Sequence, residues 1–113
     1  MTTSIDWQEC LRLSNNKTDL AKELLDMLEK DLPQSQININ KAFQDDDIRA
    51  LQEHTHKLHG ACCYCGVPRL RELIEQLEIC IKTNKNDQIA NLVAQVDREI
   101  EKVLTTLKQN KYA

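Results

Sequence analysis

Three histidines, His54, His56 and His59, lie close together in this chain, and one of them is placed to act as a nucleophile. Around them, apolar and small residues recur at alternating steps of three and four, which predicts a helix with one buried face. At about 100° per residue, His56 lies roughly 130° from the middle of that face. An outward-facing imidazole can act as a nucleophile toward a partner. The buried face itself is predicted to consist of Ile48, Leu51, Thr55, Leu58, Cys62 and Cys65.

A glycine follows His56 by one helical turn. Gly60 lies on the same outward face as His56, inside the same predicted helix. A glycine within a helix costs about 1 kcal/mol relative to alanine, so its presence calls for a reason. A bare patch of helix beside an exposed imidazole predicts that a bulky partner approaches this face closely.

A turn near Gly66 predicts a carboxylate beside the imidazole. Two antiparallel helices that meet at this turn place Glu78 at about the height of His56. We expect Glu78 to lie off the apolar face of its helix, on a face that it shares with Arg71 and Glu75. A carboxylate at that position can accept the Nδ1 proton of His56, which fixes the tautomer and leaves Nε2 as the free nucleophile.

His59 is a second candidate for the same site. It lies one turn along from His56 and borders the buried face, so it could contact an anion carried by His56. Positive charges nearby suit a phosphate group or an acidic partner. These charges are supplied by Lys57, Arg69 and Arg71.

Long apolar stripes separated by short breaks predict the elements that position these residues. We expect an all-α fold, an antiparallel up-down-up-down four-helix bundle preceded by a short N-terminal helix, in a single domain over residues 1–113. A short first helix is predicted to end near Leu13, and the second helix to be capped at Thr18 and kinked at Pro33. The third helix is predicted to be capped within Asp45–Asp47 and to run from about 46 to 64. Pro68 is expected at the first position of the next helix, and the last break at 83–86. The apolar stripe of the second helix is expected to comprise Leu20, Leu24, Leu25, Leu28, Leu32, Ile37, Ile39 and Phe43, and those of the last two helices Leu70, Leu73, Ile74, Leu77, Ile81, Ile89, Val93, Val96, Ile100, Val103 and Leu107.

The composition favours one helical domain and excludes several functions. The chain has 113 residues, of which 41% are hydrophobic, 29% charged and only 4% aromatic, with 2 glycines and 2 prolines. A net charge of -3 gives no general attraction to nucleic acid or to an anionic membrane. No apolar run approaches the roughly 20 residues of a membrane-spanning helix. The five cysteines lack the regular spacing of a disulfide scaffold, which indicates a reducing cytoplasm.

The segment His56-Lys57-Leu58-His59-Gly60-Ala61, with Gly66 ten residues after His56, resembles the histidine-containing phosphotransfer (HPt) domain. A wider similarity to the C-terminal HPt module of BarA/GacS-type hybrid sensor kinases covers Asp6–Gln8, Lys17–Ala21, Asp31–Pro33 and His56–Arg69. The resemblance implies that His56 accepts the phosphoryl group and that Gly60 makes room for a receiver domain. Glu78 falls where the family often has Gln or Glu. His59 stands where the family usually has Lys, so its charge support depends on pH.

The resemblance also implies the partners. A phosphoryl group would pass from a receiver-domain aspartate of a hybrid sensor kinase to His56, and then to a response regulator. The receiver would hold the Mg²⁺, so we expect no cofactor or metal in this chain and no autonomous kinase activity. We expect a monomer that contacts neither nucleic acid nor membrane, in the cytoplasm, on its own or as the C-terminal part of an inner-membrane sensor kinase. The expected partner-binding residues are Arg49, Glu53, Lys57, Gly60, Tyr64 and Arg71.

Two alternative functions would involve metal binding or no chemistry at all. The first is a metal-binding helical bundle, because histidine and cysteine are good zinc ligands and His56, His59 and Cys63 could converge on one helix face. Against it, Cys62 and Cys65 point inward and no second ligand cluster closes a site. The second alternative is a helical adaptor without chemistry, and phosphorylation of His56 would discriminate against both.

Overall fold

The structure is a computed structural model that describes residues 4–109, and all its regular elements over that range are helices. In chain order these are α1 (Trp7–Leu13), α2 (Thr18–Gln44), α3 (Ile48–Cys62), α4 (Pro68–Lys82) and α5 (Asn86–Gln109). Each of the last four helices packs against two neighbours, in the pairs α2–α3, α3–α4, α4–α5 and α2–α5, while α1 lies against α2. Short connections join them, so consecutive helices run antiparallel. This arrangement confirms the predicted all-α four-helix bundle with a short helix in front.

The predicted apolar faces of α3, α4 and α5 form most of the core. All five residues predicted for α4 and all six predicted for α5 are buried, as are Leu51, Thr55, Leu58 and Cys62 of α3. Helical periodicity places these side chains on one face, and the square of four helices covers that face along its length. The faces that position His56 and Glu78 therefore follow from the sequence pattern.

Three residues that were predicted to be core are exposed instead. Ile37 is 58% exposed, because it lies two positions from the buried Ile39 and so about 200° away around the helix. Leu20 is 38% exposed, since the inward stripe of α2 begins one position later, at Ala21. Ile48 is 42% exposed because it is the first residue of α3, at one end of the bundle.

The helix ends agree only in part with the predicted caps. Asp47 caps α3, and its carboxylate accepts the Ala50 N–H at 3.0 Å, as the acidic run predicted. The prediction for Thr18 is wrong: Thr18 is the first residue of α2, Lys17 is the N-cap, and no side chain bonds there. Pro33 does not end α2, since the helix continues through this residue to Gln44.

The turn between α3 and α4 is fixed by contact with α1. Gly66 has a φ of +62°, which a side chain rarely tolerates, and its carbonyl accepts the Asp6 N–H at 2.9 Å. A Cβ on Gly66 would lie 2.5 Å from Cys10 Sγ, 2.7 Å from Cys10 N and 2.9 Å from Asp6 O. Only glycine therefore lets α1 close over the turn that sets the relative height of α3 and α4.

We expect Gly66→Ala to lower the free energy of unfolding by about 2–4 kcal/mol, because the methyl group adds backbone strain to a collision with α1. Urea unfolding followed by circular dichroism measures this change. The matched control is Gly60→Ala, where an added Cβ meets no heavy atom within 4 Å. That variant should gain up to about 1 kcal/mol from better helix propensity. Equal unfolding midpoints for the two variants would contradict the role assigned to Gly66.

Candidate functional site

The side chain of His56 stands on the surface of α3 with one nitrogen held and the other free. It is 78% exposed, and its Nδ1 lies 3.3 Å from Glu78 Oε2 on α4. A carboxylate accepts a hydrogen bond, so the contact favours the tautomer in which Nδ1–H donates. The second nitrogen, Nε2, has no hydrogen-bond partner within residues 4–109. This arrangement presents the lone pair of Nε2 to an incoming group.

Glu78 is buried, although it was expected to lie off the apolar face of α4. The residue is only 8% exposed, because it sits in the seam where α3 packs against α4. A carboxylate is costly to bury unless it is paired. Here each oxygen faces one imidazole: Oε2 faces His56, and Oε1 lies 3.3 Å from His59 Nδ1. The predicted proximity of Glu78 to His56 is present, but the environment of the carboxylate differs from the prediction.

His59 lies deeper than His56 and contacts two carboxylates. Its side chain is 27% exposed, and its Nε2 lies 3.2 Å from Glu75 Oε1. Glu75 Oε1 also lies 3.4 Å from Arg71 Nε. Sequence reasoning placed Glu75 on this face but missed its contact with His59. The signal was present: His56 and His59 are three residues apart on α3, as Glu75 and Glu78 are on α4, so antiparallel packing pairs them crosswise.

Gly60 leaves open space beside the imidazole. No heavy atom lies within 4 Å of the position that its Cβ would occupy, so no packing within residues 4–109 requires a glycine there. Its outward position on α3 matches the sequence prediction. Packing among the described residues therefore gives no reason for a glycine at this position.

Most of the predicted partner-binding residues lie on the exposed side of α3 around His56, whereas Tyr64 lies in the turn after α3 and Arg71 is half-buried on α4. Arg49 and Glu53 form an exposed ion pair at 3.5 Å, which contributes little stability in water. The structure adds an apolar residue that the sequence reasoning missed. Ile79 is 59% exposed, directly after Glu78 and one turn after Glu75. The exposed residues of the predicted set are Arg49, Glu53, Lys57, Gly60 and Tyr64.

The cysteines lie mainly in the core and are all free thiols. Burial raises the pKa of Cys10 to about 12 and that of Cys65 to about 11, and it also raises the pKa of Cys62. Such thiols stay protonated, whereas metal binding and nucleophilic attack need the thiolate. Cys63 Sγ lies 3.9 Å from His59 Nε2. Over residues 4–109, no three histidine, cysteine or acidic side chains are grouped in a way that could hold a metal ion.

His54 is separated from this constellation. It is half-buried and lines a groove between α2 and α3 with Asn38 and Leu58. The structure therefore brings together His56, His59 and Glu78 of the predicted site, and leaves the third histidine on the other side of α3. None of the helices in the described range is long and apolar enough to cross a bilayer.

Comparison with known proteins assigns this arrangement to a family. The sequence profile of the Hpt domain matches residues 23–109. The chain is 32% identical over 109 residues to the signal transduction histidine-protein kinase BarA of Escherichia coli K12, covering 89% of this chain and 12% of that protein. It is 42% identical over 80 residues to the sensor protein GacS of Pseudomonas syringae pv. syringae, covering 71% of this chain and 9% of that protein.

A solved structure agrees with the sequence comparison. The crystal structure of the HPT domain from an Hpt sensor hybrid histidine kinase of Shewanella matches with a TM-score of 0.88 and 34% identity. The match covers 94% of this chain and 92% of that one. This chain spans 12% of the BarA sequence and 9% of the GacS sequence. The similarity therefore concerns one module of those proteins. With the profile, the relatives and the fold in agreement, the chain belongs to the Hpt domain family.

Proposed function

We propose that this domain is a phosphorelay intermediate, in which His56 accepts a phosphoryl group from a receiver-domain aspartate and passes it to a response regulator. The observation that carries the proposal is the state of His56: the ring is exposed, its Nδ1 is held by the buried Glu78, and open space lies beside it at Gly60. Membership of the Hpt domain family supports the same conclusion.

The transfer step follows from the orientation of the ring. The lone pair of Nε2 forms a bond to phosphorus as the bond from phosphorus to the aspartate oxygen breaks, and that electron pair returns to the aspartate as a carboxylate. The imidazole ring becomes positively charged, because Nδ1 keeps its proton. Glu78, with Oε2 at 3.3 Å from Nδ1, stabilises that charge. The return step to a second aspartate reverses these changes.

We expect the receiver to hold the Mg²⁺ that this transfer uses. Mg²⁺ takes several oxygen ligands, and carboxylates supply most of them in proteins. The carboxylate that contacts His56 is already engaged, because Glu78 also faces His59. Glu75 is engaged by His59 and Arg71, and Glu53 by Arg49. Neutralisation of the phosphoryl charge is therefore assigned to the partner, and this domain contributes the nucleophile and its orientation.

The docking surface is assigned to the exposed side of α3 around His56. It comprises the predicted residues Arg49, Glu53, Lys57, Gly60, Tyr64 and Arg71, with Ile79 added from α4. Mixed charges and two exposed apolar side chains, Tyr64 and Ile79, suit a transient protein partner better than nucleic acid. We infer a monomer, since a stable dimer on this surface would cover His56.

The cellular context is inferred from the relatives. Their names describe sensor kinases, of which this domain corresponds to a small part. We infer that the chain acts as one Hpt domain in the cytoplasm, within or beside such a kinase. The five free thiols agree with a reducing compartment.

Incubation with a phosphorylated receiver domain tests the proposed function. We expect radiolabel to move from the receiver to this chain, to be released by acid as a phosphoramidate bond requires, and to map to His56 itself. A panel of receivers, each first shown to carry the label itself, guards against the choice of one wrong partner. Failure of the whole panel, or label that maps to His54 or His59, would contradict the proposal.

A further inference from the structure

His59 is held on both sides by carboxylates of α4. Its Nε2 is hydrogen-bonded to Glu75 Oε1 at 3.2 Å, and its Nδ1 lies 3.3 Å from Glu78 Oε1 in an ion-pair contact outside hydrogen-bond geometry. A carboxylate oxygen, which is a hydrogen-bond acceptor, lies beside each nitrogen of the ring. Both nitrogens of His59 therefore face carboxylates of α4.

Glu78 links the two histidines through separate oxygens. Oε2 contacts His56 Nδ1, and Oε1, which is buried and makes no hydrogen bond, contacts His59 Nδ1. A carboxylate is planar, so holding one oxygen at His59 also sets the direction in which the other oxygen points. The position of His59 therefore determines how well Glu78 accepts the proton of His56.

The remaining groups around His59 hold the ring in place. From α4, Arg71 Nε contacts Glu75 Oε1 at 3.4 Å, so the outer carboxylate is itself anchored. From α3, Cys63 Sγ lies 3.9 Å from His59 Nε2. The side chain of His59 is 27% exposed against 78% for His56, which places it below the surface that a receiver would touch.

We propose that His59 is a positioning residue, which acts on His56 through Glu78 and makes no contact with the phosphoryl group. The inference rests on the proposed function, because it concerns the same transfer step. It departs from the direct charge support that the family resemblance implies for this position. By fixing the carboxylate of Glu78, His59 keeps His56 in the Nδ1–H tautomer and its Nε2 lone pair available.

The tautomer of His56 is the first readout, and it needs no phosphoryl donor. Nitrogen chemical shifts of the labelled imidazole rings distinguish a protonated Nδ1 from a protonated Nε2. We expect the Nδ1–H tautomer in the wild type and a mixture of tautomers in His59→Ala. His59→Lys, which places a hydrogen-bond donor beside both carboxylates, should restore the wild-type pattern. His54→Ala is the matched control on α3 and should change nothing.

A double-mutant cycle is the second readout. His59→Ala should slow transfer about tenfold, by analogy with the loss that follows removal of the partner that orients a metal-bound histidine. Glu78→Met removes the linking carboxylate and keeps an unbranched side chain in the seam. If His59 acts through Glu78, His59→Ala causes no further loss in the Glu78→Met background. Thermal unfolding of each variant confirms that the bundle is intact.

The two readouts separate the two proposals. Unchanged His56 tautomers in His59→Ala, or an undiminished effect of His59→Ala in the Glu78→Met background, would overturn the positioning role. A shifted tautomer in a domain that no receiver can phosphorylate would support the link between the histidines and overturn the proposed function. A shifted tautomer together with non-additive transfer rates supports both.

Discussion

His56→Gln is expected to reduce phosphoryl acceptance below detection while leaving the bundle folded. A carboxamide has no nucleophilic nitrogen, so the transfer step loses the atom that forms the bond to phosphorus. The position is 78% exposed, and the glutamine amide can still donate to Glu78. The free energy of unfolding should therefore change by only about 0.5 kcal/mol, as at other surface positions.

Labelling from a phosphorylated receiver and urea unfolding measure the two parts of this result. His54→Gln is the matched control: it makes the same exchange on the same helix, at a position that faces the groove between α2 and α3. That variant should accept label at the wild-type rate. Acid-labile label on a folded His56→Gln domain would move the phosphorylated residue to another histidine.

Gly60→Leu is expected to slow transfer from a receiver by about 100-fold or more, because a displacement of the partner by even 1 Å has an effect of that order. Leucine would fill the open space beside His56, where, apart from the adjoining helix backbone, no heavy atom of the described residues lies within 4 Å of the Cβ position. The domain should be at least as stable as the wild type, since leucine is the better helix former by up to about 1 kcal/mol. Transfer rates and urea unfolding test the two statements.

A small phosphoryl donor distinguishes blocked docking from damaged chemistry. Phosphoramidate carries no protein surface, so Gly60→Leu should accept label from it at nearly the wild-type rate. Gly60→Ala, with a single methyl group, should fall between the wild type and Gly60→Leu when the donor is a receiver. Wild-type rates from the receiver in Gly60→Leu would show that the partner docks elsewhere.

Much of the fold follows from local sequence signals. Every residue predicted for the apolar stripes of α4 and α5 is buried, because one helix face repeats every three to four residues regardless of what packs against it. The prediction omitted Leu92 and Leu104 of α5, which are buried as well. The cap at Asp47 also depends on nearby residues only. Errors arose at Leu20, Ile37 and Ile48, where an apolar residue lies beside the true stripe or at a helix end.

The candidate site was likewise predicted from the sequence only in part. The sequence alone determined that His56 faces outward, that Gly60 shares its face and that Glu78 lies at its height, because helix periodicity and an antiparallel hairpin fix direction and register. Only the tertiary structure decided that Glu78 is buried and that its second oxygen faces His59. Those features depend on how closely α3 and α4 approach and on the rotamers that the seam permits, and no local pattern in one helix encodes the depth of its contact with another.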